Sequence, residues 1–195
     1  PARAALEGVL PVLVAAFGAA PDPDAAINRF DALVGGLPSA INFFRLMEAR
    51  PGLTRMVADI LSHAPTLAEQ IGRRPELLDG LIDATALAPP GDVPVLVAAF
   101  AAGEEGEDYQ ALLDGVRRRV NEKCFALGVQ LIEGGRDPLA VAADYARVAE
   151  AALTVLADAA VAAFEEAHGR VPGSELVILA LGRFGGEALT HASDL

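Results

Sequence analysis

Apolar residues return every three or four positions along most of the chain, and proline, glycine and small polar residues cut that pattern into helix-length pieces. "PDPDAAINRFDALVGGLP" shows the rule. Ala26, Ile27, Phe30, Leu33 and Val34 form one helical stripe, and Gly35-Gly36 closes it. Asp22 is placed to cap the helix, with Pro23 at the first helical position, where a missing N–H costs nothing. "PSAINFFRLMEARPG" repeats the theme less regularly through Ile41, Phe44, Leu46 and Met47. "PGLTRMVADILSHAPTLAEQIGRRPELLDGLID" predicts three more helices, opened by Pro51, Pro65 and Pro75. Helices this short are marginal alone in water, so residues 1–88 are expected to pack together as one helical domain.

"APPGDVP" (Ala88 to Pro94) is a sharp turn that opens a linker region over 89–105. Residues 106–169 then predict long helices. The first is "EEGEDYQALLDGVRRRVNEKCFALGVQLIEGG", ended by Gly134-Gly135; the second starts at Asp137-Pro138, again cap and first position, and continues to about Ala167. "HGRVPGS" breaks it, and "ELVILALG" is the one persuasive strand, an apolar run of the length expected for a strand buried on both faces. The fold class that follows is mainly α: a multi-helix bundle, then the truncated start of an α/β domain over 170–195.

Composition agrees. Of 195 residues, 53% are hydrophobic but only 5% aromatic, with no tryptophan, so Ala, Leu and Val must fill the core, a mix that favours close-packed helices. A formal net charge of −12 repels polyphosphate backbones and anionic lipid, which argues against nucleic acid and membrane surfaces as partners. Cys124 is the only cysteine, so no internal disulfide or multi-cysteine zinc cage exists, and a reducing cytoplasmic location fits. Cys124 itself reads as a small buried hydrophobe on a helix. The most apolar stretch, Leu139 to Phe164, carries Asp144, Arg147, Glu150 and Asp158, whereas a membrane span needs ~20 nearly uncharged residues. "PARAALEGVLPVLVAAFG" makes a poor signal peptide because it has no basic leader and contains Glu7 and Pro11. Its first residue, Pro rather than Met, is expected to mark a piece of a longer chain.

Candidate chemistry concentrates in "LALGRFGGEALTHASDL". An apolar strand would deliver the chain to Gly182, and Gly185-Gly186 would allow a tight turn with positive φ. Successive N–H groups in such a turn can form a nest for an anion, and a short helix after it would point its positive end the same way. Arg183 adds a positive charge, and Asp194 supplies a carboxylate suited to Mg²⁺ beside nucleotide phosphates. Taken bare, the same residues also describe a tight turn between two strands with Asp194 as a loop acid.

The run resembles the strand–GG–SDxD element of polymerase-β-like nucleotidyltransferases. More narrowly it resembles the glutamine synthetase adenylyltransferase family, whose pattern is a strand, then G-[KR]-x-G-G-[RE]-x-[LM]-T-x-x-S-D-[LI]-D. Gly182, Arg183, Gly185, Gly186, Glu187, Leu189, Thr190, Ser193, Asp194 and Leu195 fall on it, while Phe184 stands where leucine is commoner. The resemblance implies that Gly185, Gly186, Arg183 and Ser193 hold the phosphates of ATP. It makes Asp194 the first of two catalytic aspartates that bind Mg²⁺; the second would follow Leu195, so the chain is expected to stop inside a metal site. "THASDL" favours the second, adenylylating half of this bifunctional family. Upstream, residues 26–83 resemble the helical region before the second nucleotidyltransferase domain, and "RRRVNEKCFALGVQLIEG" its next helix. The implied function is transfer of AMP from ATP to a tyrosine of glutamine synthetase, with the isolated piece inactive. The alternative is a helical regulatory module that binds a PII-type signal protein, or that only orients two catalytic domains.

Other polar residues suggest less. His191, three residues before Asp194, reads as a surface residue or one behind the site; His63 and His168 read as helix-end residues that complement the dipole. Arg73-Arg74 and Arg117, Arg118 and Arg119 read as solvated salt-bridging faces. Glu104, Glu105, Glu107 and Asp108 read as favourable negative charge at a helix start.

Overall fold

A computed structural model of the chain describes residues 2–83, 85–102, 108–191 and 193. Asp194 and the acids Glu104, Glu105 and Glu107 lie outside the described residues. The chain divides into two compact units, the first made of Pro1–Leu87 with Gly128–Gly135, the second of Ala88–Leu127 with Arg136–Leu195.

The first unit contains α1 (Ala2–Ala19), α2 (Pro23–Gly36), α3 (Ala40–Ala49), α4 (Pro51–His63), α5 (Pro65–Arg73) and α6 (Leu77–Ile82). Its centre is α4, which packs against α1, α2, α3 and α5. Leu53, Met56, Val57, Ile60 and Leu61 are all buried, so α4 is apolar around much of its circumference. On α1 the buried residues Ala5, Val9, Leu13 and Phe17 recur every four positions, one stripe facing α3 and α4. Phe17, Phe30 and Phe44 pack in series, the first pair tilted and the second stacked, with centroids 5.8 and 6.3 Å apart.

The helix starts follow the cap rules. The Ala25 N–H donates to the Asp22 carboxylate at 3.0 Å with Pro23 in the first turn, and Asn42 N–H donates to Ser39 Oγ at 3.4 Å. At the other end of α4, Arg29 donates to the Leu61 carbonyl (2.9 Å), one of the carbonyls a helix end leaves unpaired. Pro51 and Pro65 open helices as expected, whereas Pro75 does not. The chain at 74–79 is held by three-residue turns, Leu78 N–H to Pro75 carbonyl and Asp79 N–H to Glu76 carbonyl, and α6 begins only at Leu77.

The second unit contains α7 (Val93–Ala101), most of α8 (Tyr109–Ile132), α9 (Pro138–His168) and α10 (Gly182–Gly185). Its core gathers Leu96 and Phe100 from α7, Val116 and Leu127 from α8, and Val141, Tyr145, Val148, Ala149, Ala152 and Val155 from α9. Alanines on α9 let α7 lie close against it. Asp92 and Asp137 cap α7 and α9, accepting from Val95 and Leu139 N–H at 3.3 and 3.2 Å. Arg119 ties α8 to the end of α7 by donating to the Phe100 carbonyl (3.1 Å) and to that of Ala102. Gly169, at φ +78°, ends α9 in a conformation that suits glycine.

Residues 175–181 correct the strand expectation. Among the described residues no strand forms, and Leu176, Val177, Ile178, Leu179 and Leu181 are exposed. An apolar run is a strand only when a neighbour pairs its N–H and C=O groups and covers its faces. No described segment does so, and among the described residues the α/β start forms no sheet.

Asp144 is fully buried and receives both Arg136 and Arg147, which remain partly exposed. Either guanidinium alone keeps the carboxylate paired; removing both strands a buried charge. Arg136→Met with Arg147→Met should destabilise the second unit by about 3–5 kcal/mol, and each single change by clearly less. Urea titration monitored at Tyr145 checks this; an additive pair of small effects would contradict it.

Candidate functional site

The glycine-rich run bends, but not where its glycine pair predicts. Leu181 is extended (φ −123°, ψ 167°), Gly182 turns to φ +59°, and Gly182–Gly185 form the single turn α10. Gly186 has φ −91°, and the next left-handed residue is Glu187 at φ +52°. The expected positive φ thus falls on Gly182 and Glu187 rather than on Gly185 and Gly186, and the helical turn includes the first glycine of the pair instead of following the pair.

Gly185 has a different reason to be glycine. A Cβ there would stand 2.5 Å from the Ala180 carbonyl oxygen, a backbone atom that cannot swing away. Gly186 is less constrained, with the nearest atom, the Gly182 oxygen, at 3.3 Å. The N–H groups of Gly185, Gly186, Glu187 and Ala188 donate to the carbonyls of Leu181, Gly182, Phe184 and Arg183 at 3.3, 3.0, 3.0 and 2.9 Å. In this arrangement the turn consumes the donors that a nest would turn outward. Arg183 is exposed beside them.

Two apolar anchors hold the turn to the second unit. Leu189 is buried in the core, and Phe184 packs partly buried against it. Thr190 to Ser193 then close a small turn: Ser193 N–H donates to the Thr190 carbonyl, and Thr190 N–H donates to Ser193 Oγ, both at 3.0 Å. Within it His191 Nδ1 lies 3.3 Å from the Tyr145 hydroxyl, which itself donates to the Cys124 carbonyl at 3.0 Å. That leaves the hydroxyl oxygen to accept from Nδ1–H, which assigns the tautomer. His191 is thus half-buried against α9 rather than a surface residue, and the sequence gives no sign of its partner. Burial lowers its pKa from the ordinary value, while a hydrogen bond to the Cys124 backbone opposes the shift. Burial also pushes the Cys124 thiol up to about 11, so it stays protonated at neutral pH; it packs partly buried against the core rather than fully inside it.

A cleft of ≈ 710 Å³ opens beside the turn. Asp92, Val93 and Pro94 at the start of α7 form one side, and Ala143, Ala146, Arg147, Glu150, Leu153 and Thr154 of α9 the floor. Ile178, Ala180, Phe184, Gly185 and Glu187 close the third side. The structure therefore brings Gly185 to a cleft together with Arg147 and Glu150, two charges that sequence reading used only to reject a membrane span. Their spacing of three on one helix face was the available signal. Among the described residues no three His, Cys, Asp or Glu side chains gather as metal ligands. The expectation of Mg²⁺ thus rests on Asp194 and on no carboxylate cluster that the described residues supply.

A histidine with a depressed folded pKa binds its proton more readily when unfolded. The second unit should therefore lose stability as pH falls from the ordinary 6.5 towards the depressed value, with no pH dependence from His191 well above 6.5. Urea midpoints of the chain and of His191→Asn, compared from about pH 7.5 to about pH 5, check the sign: the wild type should fall more steeply. Parallel curves would contradict it.

The family model for glutamate-ammonia ligase adenylyltransferase matches residues 54–195. Three relatives, each a bifunctional glutamine synthetase adenylyltransferase/adenylyl-removing enzyme, come from Mesorhizobium japonicum, Rhizobium meliloti and Agrobacterium fabrum. They are 35%, 33% and 32% identical to the whole of this chain. The chain spans about a fifth of the length of each. With the GG–SD residues falling inside the matched stretch, the chain belongs to the glutamate-ammonia ligase adenylyltransferase family.

Proposed function

We propose that this chain is the stretch of a glutamine synthetase adenylyltransferase that leads into and opens its second, adenylylating domain. The whole enzyme transfers AMP from ATP to a tyrosine of glutamine synthetase and so regulates nitrogen assimilation in the cytoplasm. The observation that carries the reading is the run Gly182 to Leu195, which keeps ten family positions inside the stretch matched by the family model. The names of the relatives supply the reaction and the protein substrate.

In this reading each residue of the run has a task. Gly185, glycine because a Cβ would meet the Ala180 carbonyl, lets the turn fold at the cleft edge, where it can meet a phosphate. Arg183, exposed on the turn, attracts the polyphosphate, and Gly186 and Ser193 are the other residues assigned to the phosphates in this reading. For the N–H groups of the turn to meet phosphate, they must exchange their present carbonyl partners for it, a local opening of a few backbone hydrogen bonds. Asp194 would be the residue of this chain to hold Mg²⁺, which would supply positive charge against the phosphates. One such carboxylate does not make a nucleotidyl-transfer site, and the isolated chain should be inactive.

The first unit favours a second, compatible role. It builds its own core from α1 to α6 and contains none of the run's residues, as a module that binds a PII-type signal protein or orients catalytic domains would. None of the described helices is long and apolar enough to cross a membrane.

Transfer of label from α-³²P-ATP to glutamine synthetase by the full-length enzyme tests the main reading. Asp194→Asn should lower the rate by about 100-fold or more, and residues 1–195 alone should transfer nothing. Full activity of Asp194→Asn, or transfer by the isolated chain, would overturn it.

A further inference from the structure

We infer that a cleft of the first unit is a docking site for a partner-protein segment that carries an apolar side chain beside a lysine or arginine. The inference rests on the interaction role proposed for that unit and is independent of the transferase reading. The cleft measures ≈ 430 Å³ and lies between the end of α2, the start of α3 and the stretch from Pro75 to Ile82. Its third wall follows from Pro75. Because that proline serves in a turn instead of opening a helix, residues 74–79 pass close to the end of α2 before α6 settles. Gly36 permits the approach: a Cβ there would stand 3.2 Å from the Gly72 carbonyl oxygen and 3.6 Å from the Pro75 ring.

Phe43 and Leu78 are the buried part of the lining, while Leu37, Leu46 and Ile82 are half-buried and leave apolar surface open to an incoming side chain. Asn42, Glu76 and Asp79 stand exposed around them, an apolar centre with a polar rim, as at a protein interface. The rim has one sign. No lysine or arginine lines the cleft, and among the described residues neither Glu76 nor Asp79 has an ion-pair partner. Arg50 donates to the Ile82 carbonyl and does not line the cleft. The end of α2 and the start of α3 bring dipole charges of opposite sign, which offset each other, so the two carboxylates decide the potential. A purely apolar segment would desolvate them without compensation, and a bare cation would leave the apolar floor wet. A segment with both features matches both parts of the cleft.

The test photo-cross-links the peptide Gly-Lys-Leu-Phe-Arg-Gly, with a benzophenone on its phenylalanine, to the full-length enzyme and maps the labelled residues by mass spectrometry. Labels should fall within residues 37–46 and 75–82. Glu76→Gln combined with Asp79→Asn should lower the labelling there by about 5-fold, the effect of losing two exposed ion pairs. Asp31→Asn, which removes an exposed acid of α2 outside the cleft, should leave it unchanged. A peptide with glutamate in place of both cations should label the cleft no better than the double variant is labelled. Equal labelling by the two peptides, or full labelling of the double variant, overturns the proposal. Dimerisation of the enzyme that the double variant abolishes, without labelling of the cleft, identifies a second copy as the occupant and also overturns it. Labels elsewhere within residues 1–87 overturn the cleft but leave the interaction role standing, whereas none within 1–87 overturns both. None of these outcomes touches the transferase reading, which Asp194→Asn tests separately.

Discussion

Burial of Leu189 is the contact on which the motif depends. Residues 170–188 are otherwise almost entirely exposed, and their exposed apolar side chains give the chain no reason to settle in one place. Leu189, with Phe184 beside it, sets the glycine-rich turn against α7 and α9. The cleft, the approach of Gly185 to Ala180 and the meeting of His191 with Tyr145 all follow from that docking. The function proposed for this protein is thus a property of how one short segment sits on a helical platform.

The platform is built to be rigid where the segment touches it. The part of α9 from Val141 to Val155 is the packed half, and its later turns up to His168 are largely exposed. Within the packed half, Asp144 draws Arg136 and Arg147 to one fully buried carboxylate, and Arg147 then lines the cleft. Burying a carboxylate costs a great deal unless it is paired, so this choice constrains the helix start and the cleft wall together. The cleft carries Asp92, Glu150 and Glu187 against Arg147 alone, so an anionic nucleotide would need its metal counterion to approach this face.

Local chemistry was legible in the sequence and long-range contact was not. Asp22 with Pro23 and Asp137 with Pro138 announce helix starts because a cap acts within three residues of itself. Pro75 misleads because the same residue serves equally in a turn, and the bonds of 74–79 are of that kind. "ELVILALG" reads as a strand from hydropathy, yet pairing needs a neighbour that no local signal provides. Of the motif, the residue types were legible through resemblance, whereas the conformations were not. Gly185 is glycine for a contact with Ala180, and the left-handed positions are Gly182 and Glu187. The pairing of His191 with Tyr145, 46 residues apart, leaves no trace in either local pattern.

The central claim is that a nucleotide meets this protein at the glycine-rich run. Hydrogen–deuterium exchange of the full-length enzyme, with and without Mg²⁺ and a non-hydrolysable ATP analogue, tests it most directly. The account predicts that the nucleotide slows exchange across residues 181–193 and leaves α4 and α5 of the first unit unchanged. Slowed exchange confined to other parts of the enzyme, with 181–193 exchanging as fast as before, would contradict it.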